Sequence, residues 1–146
     1  MSCTTDGVRA MDFQHRGQRG TTEVIYPELS GQILRAAFKV HSALGPGLLE
    51  SAYEACLCHE LYGAGLLFRR QVAVPIQYDG IAIDCGFRLD LLVEEKAIVE
   101  IKSVERLMSI HECQLLTYLR AAHLRLGLLL NFNTSHLRHG IRRLVA

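Results

Sequence analysis

Between Ala97 and Phe132 the chain reads strand, helix, strand, and this stretch restricts the possible folds more than any other. Ala97 to Ser103 is a short apolar run interrupted by Glu100 and Lys102, Ser109 to His123 is amphipathic at helical spacing, and Leu126 to Phe132 is almost continuously apolar. A strand with no polar alternation is what burial on both faces selects. A helix joining two strands forms a crossover unit whose strands lie parallel in one sheet. The expected fold class is therefore α/β.

The residues before this unit add antiparallel strands and two helices. From Ser30, read as an N-cap, the apolar residues Ile33, Ala36, Ala37, Val40 and Leu44 recur at three and four, which predicts a helix. Gly45-Pro46-Gly47 ends it, and a second helical pattern runs from Leu48 to the stop signals Gly63 and Gly65. Leu67 to Tyr78 alternates, Asp79-Gly80 is a hairpin-type turn, Ile81 to Val93 is its partner strand, and Glu94-Glu95-Lys96 is a second turn. The expectation is a mixed central sheet flanked by helices, with two helices preceding the sheet and a final short strand or helix over His139 to Val145. Residues 1–29, polar and without a sustained period, read as a flexible tail, and residues 30–146 as one domain.

Several function classes fall away on composition. No stretch approaches the roughly 20 apolar residues of a membrane helix, and no apolar segment follows the N-terminal charges, so a soluble, cytoplasmic protein is expected. The five cysteines (Cys3, Cys56, Cys58, Cys85 and Cys113) make no C-x-x-C pair, which argues against a zinc ribbon or redox centre, and all five are expected as reduced thiols. With 16 basic and 15 acidic side chains the net charge is +1, short of what nonspecific nucleic-acid binding by bulk charge requires. A local basic groove with a divalent cation can still hold phosphates.

A chemical signal emerges from numbering. If the second turn centres on Glu95, Asp90 falls opposite Glu100 and Arg88 opposite Lys102. Glu100 and Lys102 then share one face of their strand, while Leu89, Leu91, Val99 and Ile101 take the other. Opposed carboxylates repel unless something compensates. Mg²⁺ suits the pair, since it takes a few carboxylate oxygens, keeps several waters, and leaves positions for a phosphate and a nucleophilic water. The residues alone leave open a second reading, a solvated hairpin face on which Lys102 bridges Glu100 and Asp90. Glu50 and Glu54, one helical turn apart, form either a polar site or a solvated stripe, with Tyr53 in the core. Gln114 and Tyr118 share a face as either a site pair or a buried structural pair. His41 and His111 read first as packing or capping residues, and Arg69-Arg70 and Arg142-Arg143 first as solvated surface, with phosphate contact the other reading of each.

Asp90 followed by nine residues and then Glu100-Ile101-Lys102 resembles the D-x(n)-E-x-K signature of the PD-(D/E)XK nucleases, and Gly47-Leu48-Leu49-Glu50-Ser51-Ala52-Tyr53 resembles the motif that names the GxxExxY family within that superfamily. Gly86-Phe87-Arg88-Leu89-Asp90 and Gln114-Leu115-Leu116-Thr117-Tyr118 extend the likeness, and Leu89 in place of the motif's proline is a departure that removes no ligand. The resemblance implies a restriction-endonuclease-like fold and a nuclease dependent on Mg²⁺ or Mn²⁺. It implies Asp90, Glu100 and Lys102 as catalytic residues, with Asp90, Glu100 and Glu50 holding the metal. It further implies Tyr53, Gln114 and Tyr118, alongside Glu50, as supporting residues. Nucleic acid, with DNA expected, is the implied partner, and a homodimer is implied by analogy. A nuclease-fold interaction module with little or no catalysis is the alternative.

Overall fold

A computed structural model describes residues 25–146. The expected tail lies mostly outside the described residues. Helix α1 spans Pro27–Leu44 and begins three residues before the expected cap: Ser30 is buried within it, and Tyr26 takes the cap position. Pro27 sets this start, because its fixed φ suits the first helical turn and its missing N–H is one that no helix start can satisfy. Helix α2 follows at Glu50–Gly63.

The strands are β1 (Phe68–Ala73), β2 (Ile76–Tyr78), β3 (Ile81–Ile83), β4 (Arg88–Val93), β5 (Ala97–Lys102), β6 (Leu126–Asn131) and β7 (Ile141–Val145), with helix α3 (Ser109–Ala122) between β5 and β6. A five-stranded sheet has the order β1-β4-β5-β6-β7, and β2 and β3 pair by themselves. β5 and β6 run parallel, as the strand-helix-strand pattern requires, and the other neighbours are antiparallel, so the sheet is mixed. The final element resolves into a 3-10 turn at Leu137–Gly140 and the strand β7.

The long hairpin expected over Leu67 to Val93 is in fact two ladders. Around Asp79-Gly80, both at positive φ, Ile76 pairs Ile83; below it, Ala73 pairs Arg88. Two residues on one side therefore face four on the other, and regular pairing cannot continue. Pro75, which has no N–H to give a ladder, sits at the break.

Two apolar layers hold the sheet. Ile33, Ala37, Val40, Tyr53, Leu57 and Leu61 from α1 and α2 pack on Leu91, Val93, Val99, Ile101, Leu128 and Leu130. Leu115, Leu116 and Leu119 from α3 pack on Leu92, Ile98, Leu129 and Leu144. A methyl group at Gly127 would meet the side chains of Leu115 and Leu119 at 3.0 Å, so glycine there lets α3 lie close against β6. Leu89 joins the α3 layer while Leu91 joins the other. Residues two apart on a regular strand share a face, so the pleat of β4 is interrupted at Asp90, and the expected grouping of Leu89 with Leu91 fails there. Cys56, Cys58 and Cys85 are free thiols, as expected, and Cys3 lies outside the described residues.

Candidate active site

The β4–β5 ladder ends at Leu91 and Val99, one residue short of Asp90 and Glu100. From there the side chains take over the ladder's hydrogen bonds. The Asp90 N–H donates to Glu100 Oε1 at 3.2 Å, and the Ile101 N–H donates to Asp90 Oδ2 at 2.8 Å. The carboxylates thus sit opposite each other, as numbering predicts, at the point where the strands part. They open into a cavity of about 390 Å³ that Glu50, Glu54, Lys102, Gln114 and Tyr118 also line.

Burial sets the electrostatics. Glu100 is only 6% exposed, and desolvation, aided by the Asp90 charge, pushes its pKa up to about 8. Burial also raises Asp90, although the Ile101 N–H opposes the shift. Tyr118 is raised by burial and by the charges of Glu100 and Asp90. The Lys102 ammonium group donates to Gln114 Oε1 at 3.5 Å, which joins β5 to α3 across the cavity mouth. Four carboxylates and two cations, Lys102 and Arg88, line the cavity, so it carries an excess of negative charge.

Glu50 and Tyr53 serve the segment that follows Lys102. Tyr53 is fully buried and stacks on Phe132 with ring centroids 4.6 Å apart; its hydroxyl donates to Gly45 O at 2.6 Å and accepts the Leu48 N–H at 3.2 Å. Gly47 between them has φ 104°, a conformation that favours glycine. The loop held this way accepts the Ser103 hydroxyl at Leu48 O, and Glu50 Oε1 accepts the Ser103 N–H at 3.3 Å. Gly47, Glu50 and Tyr53 together fasten the α1–α2 connection to the end of β5. Tyr53→Phe keeps the stacking and removes both hydroxyl bonds, so it is expected to cost about 1–2 kcal/mol and lower the melting temperature by a few degrees. Thermal denaturation checks this, and an unchanged melting temperature would contradict it.

The histidines lie elsewhere. His41 Nε2 bonds Thr134 O at 2.8 Å, and His111 Nδ1 accepts the Met108 N–H at the start of α3. Of the paired arginines, Arg69 is bonded to Glu95, Arg70 to Glu54, Arg142 to Glu112, and Arg143 to Ser30 Oγ and Ile25 O. Each has a partner within the chain, and none of the four lines the cavity. One contributor was left open by the sequence reading and one escaped it. Glu54, 8% exposed, was legible only as one turn beyond Glu50, and Gln71 carries no sequence signal at all.

Among the described residues no group of three or more His, Cys, Asp and Glu side chains is placed to hold a metal ion. The donor set nevertheless fits a hard divalent cation: two facing carboxylates, one holding its proton to about pH 8, in a cavity with surplus negative charge. No described helix is long and apolar enough to cross a membrane. No curated protein and no solved structure matches the chain. The family model of the PD-(D/E)XK nuclease superfamily matches residues 27–144, which takes in all three α-helices, the five-stranded sheet up to Leu144 and every residue of the cavity. The chain belongs to the PD-(D/E)XK nuclease superfamily.

Proposed function

We propose that the protein is a divalent-cation-dependent nuclease that hydrolyses phosphodiester bonds of DNA, with affiliation to the GxxExxY family as part of the same reading. The observation that carries it is the pair Asp90 and Glu100, facing each other where β4 and β5 separate, with Lys102 two residues on along the same strand. Asp90 and Glu100 hold Mg²⁺ or Mn²⁺, and Glu50 contributes from the first turn of α2. The bound cation would neutralise charge on the phosphoryl oxygens and lower the pKa of an attacking water.

The chain's own side chains do the rest. The Ile101 N–H fixes one oxygen of Asp90, so that carboxylate presents a defined edge to the cavity. Lys102, steadied by Gln114, places a positive charge where the transferring phosphoryl group becomes more negative. Tyr118, with its hydroxyl kept protonated, can donate a hydrogen bond into the same space. Lys102→Met removes the charge at nearly constant volume. It is expected to lower metal-dependent cleavage by about 10²- to 10³-fold and to change Mn²⁺ affinity only a few-fold. A panel of single- and double-stranded DNA and RNA substrates checks both the rate and the substrate class. Full activity in the variant would contradict the role of Lys102.

The net charge of +1 favours a second reading, a nuclease-fold interaction module without catalysis. It predicts nucleic-acid or protein binding with no cutting under any divalent cation.

A further inference from the structure

Strand β1 forms one edge of the sheet, and its pairing with β4 includes Arg70 with Leu91 and Val72 with Leu89. The position between, opposite Asp90, is Gln71, whose φ is 51°. A residue with a Cβ rarely adopts this left-handed conformation, which costs on the order of 1–2 kcal/mol and persists only where surrounding contacts enforce it.

The contacts show what the conformation achieves. Arg70 Nη2 donates to Glu54 Oε2 at 3.3 Å, and Gln71 Nε2 donates to Glu54 Oε1 at 2.9 Å. Consecutive residues of a regular strand point to opposite faces, so they could not both reach one carboxylate on α2. The left-handed turn at Gln71 brings its amide to the same side as Arg70. The second hydrogen of that amide then points to Asp90 Oδ1 at 3.4 Å. A primary amide has two N–H donors, and here each serves a different carboxylate. Asp90 is thereby held by the Ile101 N–H on one oxygen and by Gln71 on the other, while Glu54 is anchored by Arg70.

We infer that Gln71 is a positioning residue for Asp90: it transmits the placement of Glu54 on α2 to the carboxylate across the edge of the sheet, and its strained backbone is the means. The cation-holding purpose rests on the nuclease reading above; the amide contacts do not.

Gln71→Gly tests this cleanly, because glycine accepts the left-handed conformation while removing the amide. A residue with only a structural role would show its loss in stability. For a positioning residue, melting temperature holds or rises, while Mn²⁺ affinity measured by calorimetry falls about tenfold, as expected for a residue that orients a ligand. Glu54→Gln is expected to weaken Mn²⁺ binding similarly, and the double variant no further than either alone.

A metal-free readout separates this inference from the nuclease reading. The Gln71 side-chain amide signals, identified in a ¹⁵N spectrum by their loss in Gln71→Gly, are expected to shift in both Glu54→Gln and Asp90→Asn. Signals that do not move in either variant would overturn the inference, as would equal Mn²⁺ affinity of wild type and Gln71→Gly. Shifting signals in a wild type that binds no Mn²⁺ would instead overturn the cation-dependent reading and, with it, the purpose assigned to Gln71.

Discussion

Glu100→Gln is expected to make the metal-free protein more stable at pH 8.5 and to abolish its cleavage. The folded protein keeps the Glu100 proton up to about pH 8, whereas an unfolded chain releases it near the ordinary glutamate value of 4.5. The sign follows from the raised folded pKa. The stabilising contribution is complete below pH 4.5 and is lost as pH rises through 8, because the unfolded state binds fewer protons across that window. A gap from 4.5 to about 8, at roughly 1.4 kcal/mol per unit, corresponds to a loss on the order of 4 to 5 kcal/mol. Glutamine has no proton to lose, and its amide oxygen can still accept the Asp90 N–H. In a chelator, melting temperature should fall between pH 5 and 8.5 for wild type and much less for the variant. The difference at pH 8.5 should reach about 10 °C or more. Parallel curves would mean that Glu100 ionises normally and that the strands do not bury it. The prediction separates function from stability at one side chain, since a group that destabilises the metal-free fold at high pH is one that the proposed chemistry requires.

Asp90→Ala should eliminate Mn²⁺ binding and reduce cleavage below about one per cent of wild type while the protein stays folded. The variant leaves the Ile101 N–H without its acceptor, a loss of about 1 kcal/mol. Against this, removing the Asp90 charge relieves the repulsion that raises Glu100. The two effects oppose, so circular dichroism and melting temperature should change little. Cleavage at wild-type rate by a folded Asp90→Ala protein would exclude this carboxylate pair as the reaction centre.

The reach of sequence reasoning here follows the range of the interactions. Periodicity is local, so Ile33 to Val40, Leu126 to Phe132 and the intervening α3 were legible as helices and strand, and parallel β5–β6 pairing followed from their order. The pairing of Asp90 with Glu100 was legible because a tight turn at Glu94 and Glu95 fixes the register by counting. Pro27 was passed over because the apolar period starts later than the helix does. The break between the two hairpin ladders depends on unequal strand lengths around Pro75 and Gly86, which a simple alternation pattern does not register. Glu54 was left open and Gln71 was missed for a different reason. They are 17 positions apart, meet through one left-handed residue on an edge strand, and matter only because Asp90 lies across the sheet from them. Tyr53 was recognisable as part of a motif, but its bonds to Gly45 and Leu48, which make it a latch on the loop, required the fold.

The most direct test of the account is a calorimetric titration of Mn²⁺ into wild-type protein and Asp90→Ala at pH 8, with both samples then assayed on the same DNA substrates. The account predicts a saturable site in wild type, none in Asp90→Ala, and cutting only by wild type with metal present. Equal binding in both proteins, or cutting that survives the substitution, would contradict it.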